Sequence, residues 1–516
     1  MSFKGRFEDR LVFGLLVAAA LASALFSVID DCDEVYNYWE PVHLLLYGSG
    51  FQTWEYSPAF ALRSYWYPGA MALLGWPLKL LLPKLWVFFG LRALLGLLFA
   101  WCASFFYVSA RACLDCGEVR ALLAVSLIAL PGFFAASTAL LPNSLSMCLF
   151  MVSFGCWLRG LRSLAVIVGA ASVLLGVPFS IVMLLPMAVR LLHGEGLVAV
   201  AVWGAIGTVL ALVPQLLVDR WFYGKWVVAV ANIVLYNALS GDTDSTLYGV
   251  EPISFYISNL QLNLTVISPF AMLGLLWAGV EVVRGSRGNL RGWVLVSAAL
   301  WLGLMSVMPH KEQRFLYPIY PLLALAACVA VSHFVVELGL LPRSLVRPAV
   351  GLLVAAVVVT SASRIAALHR YRGGTMSVWH GVQGERNKTI CMGMDWYRFP
   401  SSFWLPDSVR LEFVKSEFGG LLPKHFEPWP DATRIVPSGM NNRNREEPDR
   451  YVPRSRCDML VEEGREGDWK ADKIVAVATV LDSESRGSIF RAFYVPFVSD
   501  RKVALKQYAI VRNAKR

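Results

Sequence analysis

Asp30-Asp31-Cys32-Asp33-Glu34-Val35-Tyr36-Asn37-Tyr38-Trp39-Glu40 follows directly on an apolar run from Leu11 to Ile29. A run of that length reaches across a hydrocarbon core, which takes about 20 apolar residues. The acids Asp30, Asp31, Asp33 and Glu34 then mark where the chain leaves the bilayer, with Tyr36, Tyr38 and Trp39 at headgroup depth. Carboxylates at such a boundary are costly if they slip inward, so a cluster of them points to a polar cavity open to water. A solvated cap on a helix end is the plainer reading and stands beside it.

Of the 516 residues, 56% are hydrophobic and 16% charged. Soluble domains carry roughly 25% charge, so this is an integral membrane protein. The net charge of +10 comes with no basic and aromatic pattern of a nucleic-acid reader, which excludes that class of partner. Lys4, Arg6 and Arg10 precede the first apolar run, and Ala22-Ser23-Ala24 has the small-residue form of a cleavage site. The run continues past that site, which favours a retained anchor, and either outcome puts the acids on the lumenal side.

Further apolar runs cover 85–109, 120–138, 144–158, 163–177, 179–193, 197–218, 266–283, 292–308, 316–336 and 346–363, giving about eleven spans. Pro178 breaks one hairpin. With the N-terminus in the cytosol, the cytosolic loops hold Arg111 and Arg120, Arg159 and Arg162, Arg190, then Arg284, Arg287 and Arg291, and finally Arg343 and Arg347. That is the positive-inside bias, and it accounts for the basic charge. Arg92 stands apart, inside the run 85–109.

One short lumenal loop departs from the bias: His310-Lys311-Glu312-Gln313-Arg314. A place that breaks the local rule is where function is sought. His310, Lys311 and Arg314 suit an anionic head group such as a phosphate, with interfacial snorkelling as the alternative. Two long lumenal loops remain. Residues 30–84 read as amphipathic helices lying in the interface, and 219–265 contain Asp242-Thr243-Asp244, which reads as an ordinary turn and not a metal motif.

After residue 363 the chain turns polar. We divide it into a membrane module, 1–363, and a lumenal C-terminal domain, 364–516, of mixed α/β type. Lys473–Leu481, Arg491–Val498 and Leu505–Val511 read as strands, and the stretch Arg443–Arg456 as an exposed loop. Asn263 and Asn387 are sequons compatible with lumenal placement, although Asn263 abuts the membrane. Cys391 and Cys457 lie in the oxidising compartment, where a disulfide between them is one outcome. Cys113 and Cys116 lack the partners of a zinc site.

Three sets of residues resemble a known family, the GT-C mannosyltransferases of the endoplasmic reticulum that use dolichyl-phosphate mannose. They are Asp31-Cys32-Asp33-Glu34, matching an Asp/His-x-Asp/Glu-Glu motif; His310 to Phe315, matching His-Lys-Glu-x-Arg-Phe; and a set of longer strings. These strings are Phe51–Pro58, Asn232–Asn237 and Trp396–Phe403, and they are similar to the α-1,2-mannosyltransferase branch that extends the lipid-linked oligosaccharide for asparagine-linked glycosylation. The resemblance runs from about residue 30 to 403, and Gln313 stands where the family has a second Glu.

The resemblance implies a GT-C fold in the endoplasmic reticulum membrane, all-α in its polytopic part. It also implies transfer from dolichyl-phosphate mannose to a dolichyl-diphosphate-linked oligosaccharide; no cofactor and no metal-ligating residue is assigned, and metal dependence stays open. Inversion at the sugar needs one carboxylate as general base on the acceptor hydroxyl. Asp33 takes that role, with Glu34 and Asp31 behind it, while Lys311, Arg314 and His310 stabilise charge on the departing phosphate. Glu40, Glu55 and Arg398 are expected to hydrogen-bond acceptor sugars, and Tyr56 and Trp396 to stack on them. Three alternatives remain: a mannosyltransferase of the glycosylphosphatidylinositol precursor, a polytopic lipid or solute transporter, and a non-catalytic lipid-binding subunit.

Overall fold

The computed structural model describes residues 3–114, 116–238, 247–285, 290–485 and 488–513. Asp242-Thr243-Asp244 and Arg287 lie outside the described residues. The chain divides into two compact units, residues 1–25, 93–214 and 244–365 in one and 26–92, 215–243 and 366–516 in the other. The second unit thus gathers most of both long loops with the polar tail, so the tail does not stand alone.

All eleven apolar runs are helical, and among the described residues seven helices are long and apolar enough to cross a membrane. The others are shorter for visible reasons. The run 120–138 breaks at Leu130, because Pro131 opens a new helix, Pro131–Ala136. Pro178 likewise starts a 3-10 turn, Pro178–Leu184, as expected of a residue that cannot continue the preceding helix.

In the first unit the helix Tyr320–Val331 is buried at every residue, so it forms the axis of the bundle. Helix Ser268–Val283 packs directly on it: a Cβ at Gly274 would collide with the carbonyl oxygen of Ala326. Small residues of this kind let membrane helices touch backbone to backbone. Ser23 and Thr138, both buried, hydrogen-bond at 3.0 Å and tie the first helix to this unit.

In the second unit, helix Trp66–Leu81 buries Tyr67, Met71 and Gly75 yet exposes Leu73, Trp76, Leu80 and Leu81. Apolar on both sides, it suits an interfacial position. The strands are β1 (Phe51–Gln52), β2 (Lys388–Met392), β3 (Val409–Phe413), β4 (Lys424–His425), β5 (Met459–Gly464), β6 (Ile474–Leu481) and β7 (Leu505–Arg512). β1 pairs with β4, and the remaining five form one mixed sheet in the order β3-β2-β5-β7-β6. Two of the three expected strands, β6 and β7, are present. The third, 491–498, is not a strand: helix Ser488–Ala492 is followed by irregular chain through Pro496, which has no N–H to offer a ladder. Cys391 in β2 is disulfide-bonded to Cys457, just ahead of β5. The stretch 443–456 is irregular apart from short turns, as expected, but Arg450 in it is buried and donates to the carbonyls of Leu422 and Gly439.

Candidate active site

The sequence motifs fall in different units and are described in turn. In the second unit a helix begins at Cys32 and continues to Tyr47, widened into a π turn over Val35–Trp39. Glu40-Pro41 explains the widening. Proline removes a donor and crowds the carbonyl four residues back, and a longer turn relieves both. The helix ends at Gly48, whose φ of 77° suits a residue without a side chain.

This geometry gives the three acids distinct positions. Asp31 is the N-cap, its Oδ1 accepting from the Asp33 N–H at 2.9 Å, so the capping role belongs to Asp31. Glu34 is buried, and its Oε1 accepts from the indole N–H of Trp39 at 2.9 Å. Asp33 is half-buried between them. Ligand atoms of Asp31, Cys32 and Asp33 lie within 4.8 Å of one another.

Arg63 is the cation of this region, and sequence reasoning did not include it among the site residues. Its Nη2 pairs with Glu55 at 2.9 Å and its Nη1 donates to the Tyr38 hydroxyl at 3.2 Å. Burial opposes the guanidinium charge, but Glu55, Tyr38 and Asp33 outweigh it and hold the pKa well above its ordinary value. Asn37 donates to the other oxygen of Glu55 at 2.6 Å and accepts from Thr53 at 2.6 Å. Tyr38 and Asn37 therefore do structural work around the acids, a role the spacing of aromatics alone did not reveal.

The residues expected at acceptor sugars fare differently. Glu40 is fully buried, and its carboxylate accepts from the Ser402 N–H at 2.6 Å, the Ser402 and Ser401 hydroxyls at 2.7 and 3.0 Å, and the Phe51 N–H at 2.9 Å. Burial raises its pKa, and these four bonds work the other way. A carboxylate so enclosed joins two parts of the unit and has no face for a sugar. Tyr56 is fully buried against Tyr65, with ring centroids 4.9 Å apart, and is likewise packing. Glu55 is half-buried beside Arg63. Trp396 is half-buried, its carbonyl accepting from the Tyr36 hydroxyl at 2.9 Å, and Arg398 pairs with Glu463 and with Asp395 at 3.5 Å.

In the first unit Glu312 organises the basic loop. It accepts from His310 Nε2 at 3.1 Å and pairs with Arg314 Nε. His310 Nδ1 lies 3.1 Å from the Gly249 carbonyl. The Glu312 hydrogen bond raises the His310 pKa, against the opposing effect of burial. Lys311 differs from its expected role: it is buried, and its ammonium donates to the Glu251 carbonyl at 2.8 Å and to that of Met308. It clips the loop to residues 249–251, where the Glu251 N–H also reaches the Pro309 carbonyl. Gln313 donates to Asn263 at 3.3 Å.

A model of the Alg9-like mannosyltransferase family matches residues 11–406. The chain is 38% identical to the alpha-1,2-mannosyltransferase ALG9 of Homo sapiens, over 98% of this chain and 89% of that protein. To ALG9 of Saccharomyces cerevisiae it is 32% identical, over 94% and 92%. The GPI mannosyltransferase 3 of Yarrowia lipolytica is 29% identical over 62% of each chain. Among solved structures, ArnT from Cupriavidus metallidurans superposes with a TM-score of 0.57 at 13% identity over 99% of both chains. The same protein bound to undecaprenyl phosphate gives a TM-score of 0.55 at 12% identity, over 98% of each. Those two likenesses are of fold, and they bear out a GT-C helical architecture with a small C-terminal sheet region.

Proposed function

Since the chain belongs to the Alg9-like mannosyltransferase family, we propose that it moves mannose from dolichyl-phosphate mannose onto a dolichyl-diphosphate-linked oligosaccharide. It is an α-1,2-mannosyltransferase of N-glycan precursor assembly. Near-complete coverage of relatives with that activity outweighs the partial match to a GPI enzyme. The donor, the endoplasmic reticulum membrane and the lumenal side of the reaction are our finer reading.

Inversion at the sugar carbon calls for one in-line displacement, with the acceptor hydroxyl losing its proton to a base. We assign that base to Asp33. The observation that carries the choice is the division of labour among the acids: Asp31 caps the turn and Glu34 is buried against Trp39, whereas Asp33 is half-buried within the field of Arg63. Arg63 and Glu55 would then meet the acceptor beside it. His310 and Arg314 are assigned to the donor phosphate, where cations stabilise charge on the leaving group, and Lys311 acts by fixing their loop.

The test is incubation with dolichyl-phosphate mannose and defined lipid-linked oligosaccharides, followed by linkage analysis of the product. Asp33→Asn is expected to lower transfer by at least about 10²-fold with expression unchanged, the usual contribution of a positioned base. Retention of more than about a tenth of the activity removes Asp33 from that role. Arg314→Ala should raise KM for the donor much more than for the acceptor, and equal effects on both would refute the phosphate assignment.

A further inference from the structure

Helix Lys84–Ala110 carries one charged residue in its apolar interior, Arg92. It stands about 12 Å along the axis from Lys84, at roughly 1.5 Å per residue. Only 2% of its surface is exposed. An arginine buried inside a membrane-crossing helix is costly unless an opposite charge answers it, and such residues are retained for function.

The surroundings of Arg92 all lead to the acid motif. Its Nη2 donates to the Ser27 carbonyl at 2.8 Å, in the short connection between the first helix and Asp31. Its guanidinium lies 5.5 Å from the ring centre of Phe88, and the Phe88 ring packs against Trp39 at 4.5 Å. The Trp39 indole in turn donates to Glu34. Glu34 is itself buried, 4% exposed, so this chain of contacts ends on a second buried charged side chain of the acid motif. Arg92 therefore reaches the turn 32–39 from both ends, through the Ser27 backbone ahead of it and through the Phe88–Trp39 pair at its close, with the buried Glu34 inside the turn.

We propose that Arg92 is a positioning residue for Asp33: by holding the Ser27 carbonyl and bracing Trp39 and Glu34 through the Phe88 ring, it fixes the turn that aims the Asp33 carboxylate. This rests on the assignment of Asp33 as general base. Arg92 touches no substrate, and its effect on rate is transmitted through Glu34 and Trp39. Neither the positive-inside bias nor the packing of helix Lys84–Ala110 asks for a cation at this depth.

The experiment is a double-mutant cycle of Arg92→Met, Glu34→Gln and the pair, with Arg92→Lys as the conservative variant, in the full-length chain in lipid nanodiscs. Readouts are kcat, KM for each substrate and the thermal midpoint. Each single variant is expected to lose about 10²-fold in kcat with both KM values within about threefold, as an alignment defect should. The double variant should regain at least about tenfold over Arg92→Met, because no uncompensated charge is left in the interior. Arg92→Lys should recover only part of the rate, since an ammonium cannot reproduce the planar fork. The proposal is overturned if Arg92→Met stays within about twofold of the parent in kcat, or if the double variant is no better than Arg92→Met. Where single variants are too unstable to assay, the midpoint decides: a double variant melting above Arg92→Met supports the pair, and one melting at or below it overturns the pair. Should the parent chain transfer no mannose, the functional reading falls by itself, and the midpoint cycle still judges the coupling of Arg92 to Glu34.

Discussion

His310 has an acceptor at each ring nitrogen, the Glu312 carboxylate at 3.1 Å and the Gly249 carbonyl at 3.1 Å, which suits the doubly protonated ring. Its pKa is raised above the ordinary 6.5, chiefly by the Glu312 bond. A raised pKa means that the charge is fully present below the ordinary value and is lost as pH climbs through the folded one. Donor KM is therefore expected to stay flat below pH 6.5 and to rise on the alkaline side by about threefold, a modest change because the ring is partly exposed to solvent. In His310→Gln that rise should vanish, and a profile unchanged by the substitution would remove His310 from the phosphate site. The motif as a string disclosed the charge of this loop. It did not disclose that Lys311 turns inward to backbone carbonyls, because an ammonium has the same letter whether it meets a ligand or a main chain.

At the scale of elements, the most consequential joint is the one around Glu40. Its four donors come from residues 51, 401 and 402, so it fastens the motif helix to β1 and to the tail string that precedes β3. Gly50 sits at φ 155°, and a Cβ there would lie 2.7 Å from the Glu40 carbonyl oxygen. Gly50→Ala is accordingly expected to cost about 1–3 kcal/mol, from a strained backbone and a collision with main chain. A thermal midpoint unchanged in that variant would show that the joint relaxes easily. The helices were legible in the sequence because each is an apolar run, and their breaks at Pro131 and Pro178 were legible as chemistry. The π turn at Val35–Trp39 and the parallel strands β2 and β5 were not. A single added residue in a turn leaves no periodic trace, and β2 closes on three consecutive buried residues, Ile390, Cys391 and Met392, without alternation. Likewise Glu40 and Tyr56 looked like surface groups for sugar only because composition gives no measure of burial.

For the whole molecule, orientation in the membrane is the property to test. Asn387 is exposed at a left-handed φ of 51°, just before β2, whereas the Asn263 side chain is 4% exposed and donates to the Asn259 carbonyl within its own helix. Endoglycosidase treatment of the protein from eukaryotic cells is expected to remove one glycan, and Asn387→Gln to abolish that mobility shift while Asn263→Gln leaves it. A shift indifferent to Asn387→Gln would contradict a lumenal tail. Helix Trp66–Leu81, finally, shows Leu73, Leu80 and Leu81 to its surroundings while it shares a unit with the acid turn. Whatever wets those leucines in a purified sample becomes a component of the enzyme. Micelle size and acyl-chain length then act as experimental variables on turnover in their own right, and a preparation can be monodisperse, folded and slow.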